Sequence, residues 1–163
     1  QRIALDRARN KIYAVTGWID WRQNYLILTI NPDTLAIEKT LTLPTAGLEL
    51  SYCEQTGMLY SVDFYGNTLY EIEVPDLKVR RTLTVPLSSR NVVCDPQRNA
   101  IYAAGYADGM FSALDYATGK TLAHFAVGAK PSSMALLPEK GLLFIGSGAG
   151  ILKIDVDKML KTK

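Results

Sequence analysis

The sequence lacks a long apolar run, a strong charge of either sign, and any abundance of cysteine or histidine. No stretch approaches the roughly 20 apolar residues that cross a bilayer, so no membrane span is predicted. Eighteen lysines and arginines against sixteen aspartates and glutamates give a net charge of +2, which argues against the concentrated basic surface of a nucleic-acid-binding protein. Two cysteines are too few for a disulfide scaffold, and one histidine is too few for an imidazole-rich metal site.

What the chain does contain is an internal repeat of about 42 residues. Four segments align, each with an apolar run, a polar turn and a second apolar run centred on an aromatic residue. The segments begin at Ala4, Ser51, Val92 and Met134. Their central aromatic residues are Tyr13, Tyr60, Tyr102 and Phe144. A third and a fourth apolar run follow, as in "YLILTI" and "IEKTLTLP", which the turn "NPDT" separates. Four short strands per unit, divided by turn residues, are typical of a β-propeller blade.

The predicted fold is therefore all-β. Strands such as "GLLFIG" and "YLILTI" are apolar on both faces, which favours sheets that are covered on each side by a neighbouring sheet. No segment shows helical periodicity. We predict a single β-propeller of about four blades, each with four antiparallel strands, in which the last blade is incomplete. The predicted blades are residues 3–49, 50–91, 92–133 and 134–163.

The repeat resembles the YVTN-type β-propeller repeat of bacterial and archaeal extracytoplasmic proteins. The resemblance is carried by "KPSSMALLPEKGLLFIGSGAGILKIDV" and by degenerate forms of the family tetrapeptide, "YAVT", "YSVD", "YAAG" and "FIGS". It covers essentially the whole chain. It implies an extracytoplasmic location, periplasmic or secreted, and leaves function open because such propellers serve as binding scaffolds, surface proteins and domains of enzymes.

The predicted ring does not close within this chain. The fourth unit ends at "VDKMLKTK", where its outer strand should be forming, and only Gln1 and Arg2 precede the first strand. An open ring would expose sheet faces and an unpaired strand. We therefore expect the chain to be part of a seven- or eight-bladed ring, completed by further sequence, a second copy or a partner chain. A self-contained four-bladed ring is the alternative.

In propellers, the loops that join the fourth strand of a blade to the next blade share one rim with the loops between the second and third strands, and ligands usually meet that rim. The first unit carries about five extra residues in such a loop, "GWIDWRQN" at positions 17–24, which holds both tryptophans. Large aromatics beside an arginine favour recognition of a protein or carbohydrate. The alternative is that a tryptophan folds back as a plug. The predicted ligand-binding residues are Trp18, Asp20, Trp21, Arg22, Phe64, Tyr65, Arg90 and Tyr106.

The predicted function is a non-catalytic binding scaffold without a cofactor or metal. The alternative is the propeller portion of an enzyme, lactonase-like or a quinone-dependent dehydrogenase, whose catalytic residues lie outside this chain; a structural surface-layer role is a third. Acids on rim loops suggest calcium as a minor possibility, but turn formation is the ordinary interpretation. These acids are Asp20, Glu49, Asp63 and Asp108.

Two further expectations concern single residues. Cys53 and Cys94 lie near the ends of first strands in adjacent units, and we predict two buried free thiols, with a disulfide between them as the alternative. His124 lies in an outer strand, "TLAHFAV", with no serine or cysteine placed as a nucleophile, so it is predicted to be a plain strand residue.

Overall fold

The structure, a computed structural model, describes residues 3–16, 25–45 and 47–161, apart from the side chain of Leu48. The described chain is all-β, as predicted, with fifteen strands in four antiparallel sheets. It divides into two compact units, Gln1–Thr84 and Val85–Lys163. No helix in the described ranges is long and apolar enough to cross a membrane.

The first unit holds two four-stranded sheets. Sheet 1 consists of β1 (Ile3–Asp6), β2 (Lys11–Thr16), β3 (Tyr25–Ile30) and β4 (Ile37–Leu43). Sheet 2 consists of β5 (Gly47–Cys53), β6 (Met58–Asp63), β7 (Thr68–Glu73) and β8 (Lys78–Thr84). In both sheets, strands that follow one another in sequence are paired, which is the up-and-down order of a propeller blade.

The second unit repeats this arrangement with one change. Sheet 3 consists of β9 (Ser89–Asp95), β10 (Ala100–Gly105), β11 (Met110–Asp115) and β12 (Thr121–Ala126). Sheet 4 has three strands, β13 (Ser133–Leu137), β14 (Leu142–Ser147) and β15 (Gly150–Asp155). A short helix, α1 (Val156–Lys161), follows β15 directly and buries Val156 against the core of this unit. The expectation that no segment is helical is wrong here, because Asp155 caps the helix through a bond from Lys158 N–H to its Oδ1, 3.0 Å long.

Each turn between the first and second strands of a sheet contains a residue with left-handed backbone conformation. These residues are Asn10, Gly57, Asn99 and Gly141, with φ between 50° and 65°. Asparagine and glycine are the residues that adopt this conformation at least cost. In every repeat, the left-handed residue lies four positions after the last residue of the first strand. The local sequence therefore sets the hairpin that aligns the two strands.

Within each unit the two sheets pack in the same sense. The face of sheet 1 that carries Tyr13 packs on the face of sheet 2 that carries Leu59 and Ile72. The face of sheet 3 that carries Tyr102 packs on the face of sheet 4 that carries Leu143. We call the face with the central aromatic residue of the second strand the aromatic face of a sheet, and the opposite face its aliphatic face. Within each unit, the aromatic face of the first sheet thus meets the aliphatic face of the second.

The prediction of two free thiols is wrong. Cys53 and Cys94 are each disulfide-bonded, and Cys53 is buried. The two cysteines are separated by a whole repeat, and their spacing in the sequence does not reveal whether they are oxidised.

Candidate functional site

The structure describes four of the eight predicted ligand-binding residues. Phe64 and Tyr65 lie in the first unit, and Arg90 and Tyr106 lie in the second. The other four lie in the loop at positions 17–24, outside the described residues, and their role stays a prediction. They are Trp18, Asp20, Trp21 and Arg22.

Phe64 and Tyr65 contact each other in the loop between β6 and β7. Their rings meet edge to face, with centroids 4.6 Å apart and planes at 77°. The buried Asp63 accepts a hydrogen bond from Tyr65 N–H at 3.0 Å, which tightens the loop. Tyr65 is largely exposed, so this loop presents an oriented aromatic ring to solvent.

Arg90 and Tyr106 form the second contact among the predicted residues. The guanidinium carbon of Arg90 lies over the Tyr106 ring, 3.9 Å from its centroid, in a cation–π arrangement. Arg90 belongs to β9, whereas Tyr106 comes directly after β10. Backbone bonds hold the two strands together beyond the regular ladder, because Tyr106 N–H donates to Ser88 and Ala107 N–H donates to Leu87. The stacked pair is therefore held by two adjacent strands.

An open cleft of about 550 Å³ lies beside Tyr106 in the second unit. Its volume is within the range of small-ligand sites, and its lining is mostly apolar. Of the residues that line it, the sequence predicted Tyr106 as a ligand-binding residue and Asp108 as a rim acid. The lining residues are Tyr106, Ala107, Asp108, Gly109, Ala126, Gly128, Ala129 and Lys130.

The frame of this cleft depends on Asp108 and Gly109. The Asp108 carboxylate accepts hydrogen bonds from Leu87 N–H at 2.8 Å and from Met110 N–H at 3.0 Å, so it ties two loops together. Gly109 has φ of 68°, and a Cβ at this position would lie 2.7 Å from the carbonyl oxygen of Gly128. Only glycine allows the two loops to approach this closely.

Two of the rim acids that the structure describes, Asp63 and Asp108, bind backbone N–H groups in their turns, as the ordinary interpretation predicts. No group of three histidine, cysteine or acidic side chains that could hold a metal ion occurs among the described residues. The main positive charge on the cleft is Lys130, which is exposed and has no ion-pair partner in the described part of the chain.

His124 lies in the outer strand β12, as predicted, but a serine contacts it. Its Nδ1 lies 2.8 Å from the Oγ of Ser112, which is buried on the neighbouring strand β11. The sequence could not reveal this pair, because it depends on the register in which Ser112 faces His124. No carboxylate contacts the imidazole within the described ranges, so the pair lacks the third member of a catalytic triad.

Two buried aspartates perturb the ionisation of their neighbours. Burial, followed by the charge of Asp6, raises the pKa of Tyr13, and burial with the charge of Asp95 does the same to the pKa of Tyr102. Perturbed groups often mark functional sites. Here each aspartate accepts a bond from its tyrosine and pairs with an arginine three residues later, at equivalent positions of two repeats. This recurrence indicates a structural role.

No protein-family model and no curated protein matches the chain. Solved structures do resemble it. A chain of the mitotic checkpoint complex matches with a TM-score of 0.80 and 13% identity over 96% of this chain and 49% of that one. A functionally unknown protein from Desulfotomaculum acetoxidans matches with a TM-score of 0.75 and 10% identity over 89% of this chain and 48% of that one. The chain therefore spans about half the length of either, and at this identity the likeness establishes a propeller-like, all-β fold.

Proposed function

We propose that this chain is a non-catalytic binding scaffold that recognises a protein or a carbohydrate through its rim loops. The observation that carries the proposal is the stacked pair of Arg90 and Tyr106 at the border of the 550 Å³ cleft. A tyrosine oriented by an arginine offers contact area at a low entropic cost, and such residues dominate the energetics of many interfaces.

The chemistry of the cleft supports this proposal. Its lining is mostly apolar, and it has Lys130 and the Tyr106 ring as groups that can orient a ligand. The one acid on it, Asp108, accepts bonds from two backbone N–H groups and so holds the loops together. A preformed apolar cleft with few polar groups is the usual form of a binding site.

The proposed scaffold is part of a larger propeller of seven or eight blades and belongs to the YVTN-type repeat family. The coverage of about half of each matched solved chain supports the larger ring. The proposed location is extracytoplasmic. The disulfide-bonded state of both cysteines supports an oxidising compartment.

The test begins by screening the 163-residue protein against an array of neutral and acidic oligosaccharides and an array of short peptides. The strongest binder is then titrated by calorimetry into the wild type and into Tyr106→Ala. We expect Kd to rise at least about tenfold in the variant, because the Tyr106 ring provides contact area and also holds the Arg90 guanidinium in position. Tyr116→Ala is the matched control, since Tyr116 is half-buried at the opposite end of β11; its Kd should equal that of the wild type.

The loop at 17–24 provides a second arm. Replacing Trp18 and Trp21 together with alanine should weaken binding of the same ligand and leave the melting temperature nearly unchanged. A large loss of thermal stability with unaltered affinity would instead establish the plug interpretation. The scaffold proposal is wrong if neither array yields a ligand whose affinity depends on Tyr106.

A further inference from the structure

The aliphatic face of sheet 1 has no partner among the described residues. Ile3, Leu5 and Ile37 are 56%, 53% and 59% exposed, and the other aliphatic side chains of this face are only half-buried. Pairing registers place all of them on one side of the sheet, together with three threonines and no charged residue. The aliphatic residues are Ile3, Leu5, Ile12, Ala14, Leu26, Leu28, Ile30 and Ile37. Such a contiguous surface on a sheet is typical of an interface.

In the described part of the chain, the aromatic face of sheet 4 is not covered either. It carries Phe144 at its centre, and Ile151 on this face is 81% exposed. The charged residues Lys153 and Asp155 lie only on β15, the edge strand of the sheet. The apolar members of the face are Ala135, Leu137, Leu142, Phe144 and Ile151.

The two packed pairs within the chain establish which kind of face these surfaces accept. In each unit an aromatic face, centred on Tyr13 or Tyr102, packs on the aliphatic face of the following sheet. Sheet 1 exposes an aliphatic face, which is the kind of face that an aromatic face covers in these pairs. Sheet 4 exposes an aromatic face, which is the kind of face that covers it. The leftover surfaces are therefore complementary in kind.

We propose that the aliphatic face of sheet 1 binds the aromatic face of sheet 4 from a second copy of this chain. The inference rests on the proposed larger ring and names what completes it. Two copies supply eight sheets, and since one copy covers 48–49% of the matched solved chains, two copies supply the length of one such chain. Burial of the aliphatic side chains provides the driving force.

The test is the solution mass of the 163-residue protein, measured by light scattering over a range of concentrations. We expect twice the 18.0 kDa chain mass for the wild type. Leu5→Glu should raise the dissociation constant at least about tenfold, because the contact would then bury a charge in place of a leucine. Ile151→Glu should do the same from the other face. Leu35→Glu, at a 73% exposed leucine in a turn of sheet 1 and off the aliphatic face, should keep the wild-type mass.

Mixing the two variants distinguishes this contact, between unlike faces, from a contact between two copies of the same face. Leu5→Glu and Ile151→Glu each retain one intact partner face, so an equimolar mixture should contain heterodimers that neither variant forms with itself. The inference is wrong if the wild type stays at 18.0 kDa at every concentration, or if Ile151→Glu dimerises as the wild type does. This outcome can be distinguished from a failure of the proposed binding function. If the protein is a monomer whose ligand affinity still depends on Tyr106, the dimer is disproved and the binding function stands.

Discussion

At the scale of single residues, the recurring feature is a buried carboxylate under the first hairpin of a repeat. Asp6 and Asp95 each pair with an arginine three residues later and accept a bond from a tyrosine seven residues later. The fourth repeat has Leu137 and Phe144 at the two equivalent positions. Losing the acid and the hydroxyl together avoids leaving either one buried and unsatisfied, which is the costly outcome.

Removing one partner alone should therefore destabilise the protein. Tyr102→Phe deletes the hydroxyl that donates to Asp95 at 3.0 Å, and we expect the free energy of unfolding to fall by about 1–2 kcal/mol. Tyr65→Phe, at an exposed tyrosine, should change it by less than about 0.5 kcal/mol. Denaturant unfolding measures both. Equal effects of the two substitutions would show that the buried hydroxyl contributes nothing specific.

At the scale of elements, the turns between third and fourth strands contain an unfavourable choice of residue. Three sheets have a residue with left-handed backbone in this turn, four or five positions after the third strand ends: Leu35 with φ of 57°, Leu77 with 56° and Gly119 with 74°. Leucine adopts this conformation at a cost of about 1–2 kcal/mol, whereas glycine does so freely. Leu77 is buried in the core of the first unit, which offsets the cost, but Leu35 is exposed.

Leu35→Asn should therefore stabilise the protein. Asparagine tolerates this conformation, as Asn10 and Asn99 show in the other hairpins, and no buried surface is lost. We expect the free energy of unfolding to rise by about 0.5–1 kcal/mol. Leu77→Asn should lower it by about 2 kcal/mol or more, since the same backbone relief is outweighed by the loss of a core side chain. Equilibrium unfolding in urea measures both, and a destabilising Leu35→Asn would contradict the argument.

Helix α1 is held on the second unit by a long-range ion pair. Arg98 binds both carboxylate oxygens of Asp157, at 2.8 and 3.1 Å, and also contacts Asp95. Hydrogen bonds that Arg98 donates to Asp157, together with the charge of Asp95, raise the pKa of Arg98, although burial opposes the shift. The helix is therefore linked to the buried acid of sheet 3 through one side chain. Gly141 borders this contact, and a Cβ there would collide with the carboxylate of Asp157.

At the scale of the whole molecule, hydrogen-bonded carboxylates make the stability of the fold depend on pH. Burial alone would raise the pKa of Asp6, but bonds from the Arg9 side chain and backbone outweigh it and lower the pKa. Bonds from Arg98 lower the pKa of Asp157, and the backbone N–H of Lys158 lowers that of Asp155. Each group has a lower pKa in the folded than in the unfolded chain, so its contribution is present above the unfolded pKa and is lost as pH falls through the folded one.

The melting temperature should consequently be level above about pH 5 and fall progressively between about pH 5 and pH 3. Thermal unfolding followed at a series of pH values measures this. Asp6→Asn, which removes the one fully buried member of the set, should reduce the melting temperature at pH 7 and make its decline in acid shallower. A melting temperature that holds or rises down to pH 3 would contradict the argument.

Features that depend on residues close together in the sequence could be predicted from it, whereas features that depend on distant residues could not. The repeat, the all-β class and the strand order follow from alternating apolar runs and turn residues, and all are local patterns. Asn10, Gly57, Asn99 and Gly141 mark their turns for the same reason. Of the candidate site, the four residues that make the two rim contacts were among those predicted, whereas the cleft beside Tyr106 and its Lys130 were missed.

The sequence by itself thus determined the period and the hairpins, because backbone preference and side-chain alternation act within a few residues. Tertiary structure alone decided the pairing of Arg98 with Asp157, the approach of Ser112 to His124 and the oxidised state of the cysteines. It also decided which sheet faces are covered. These features join residues from different strands or turns, and only the register and packing of the sheets bring such residues into contact.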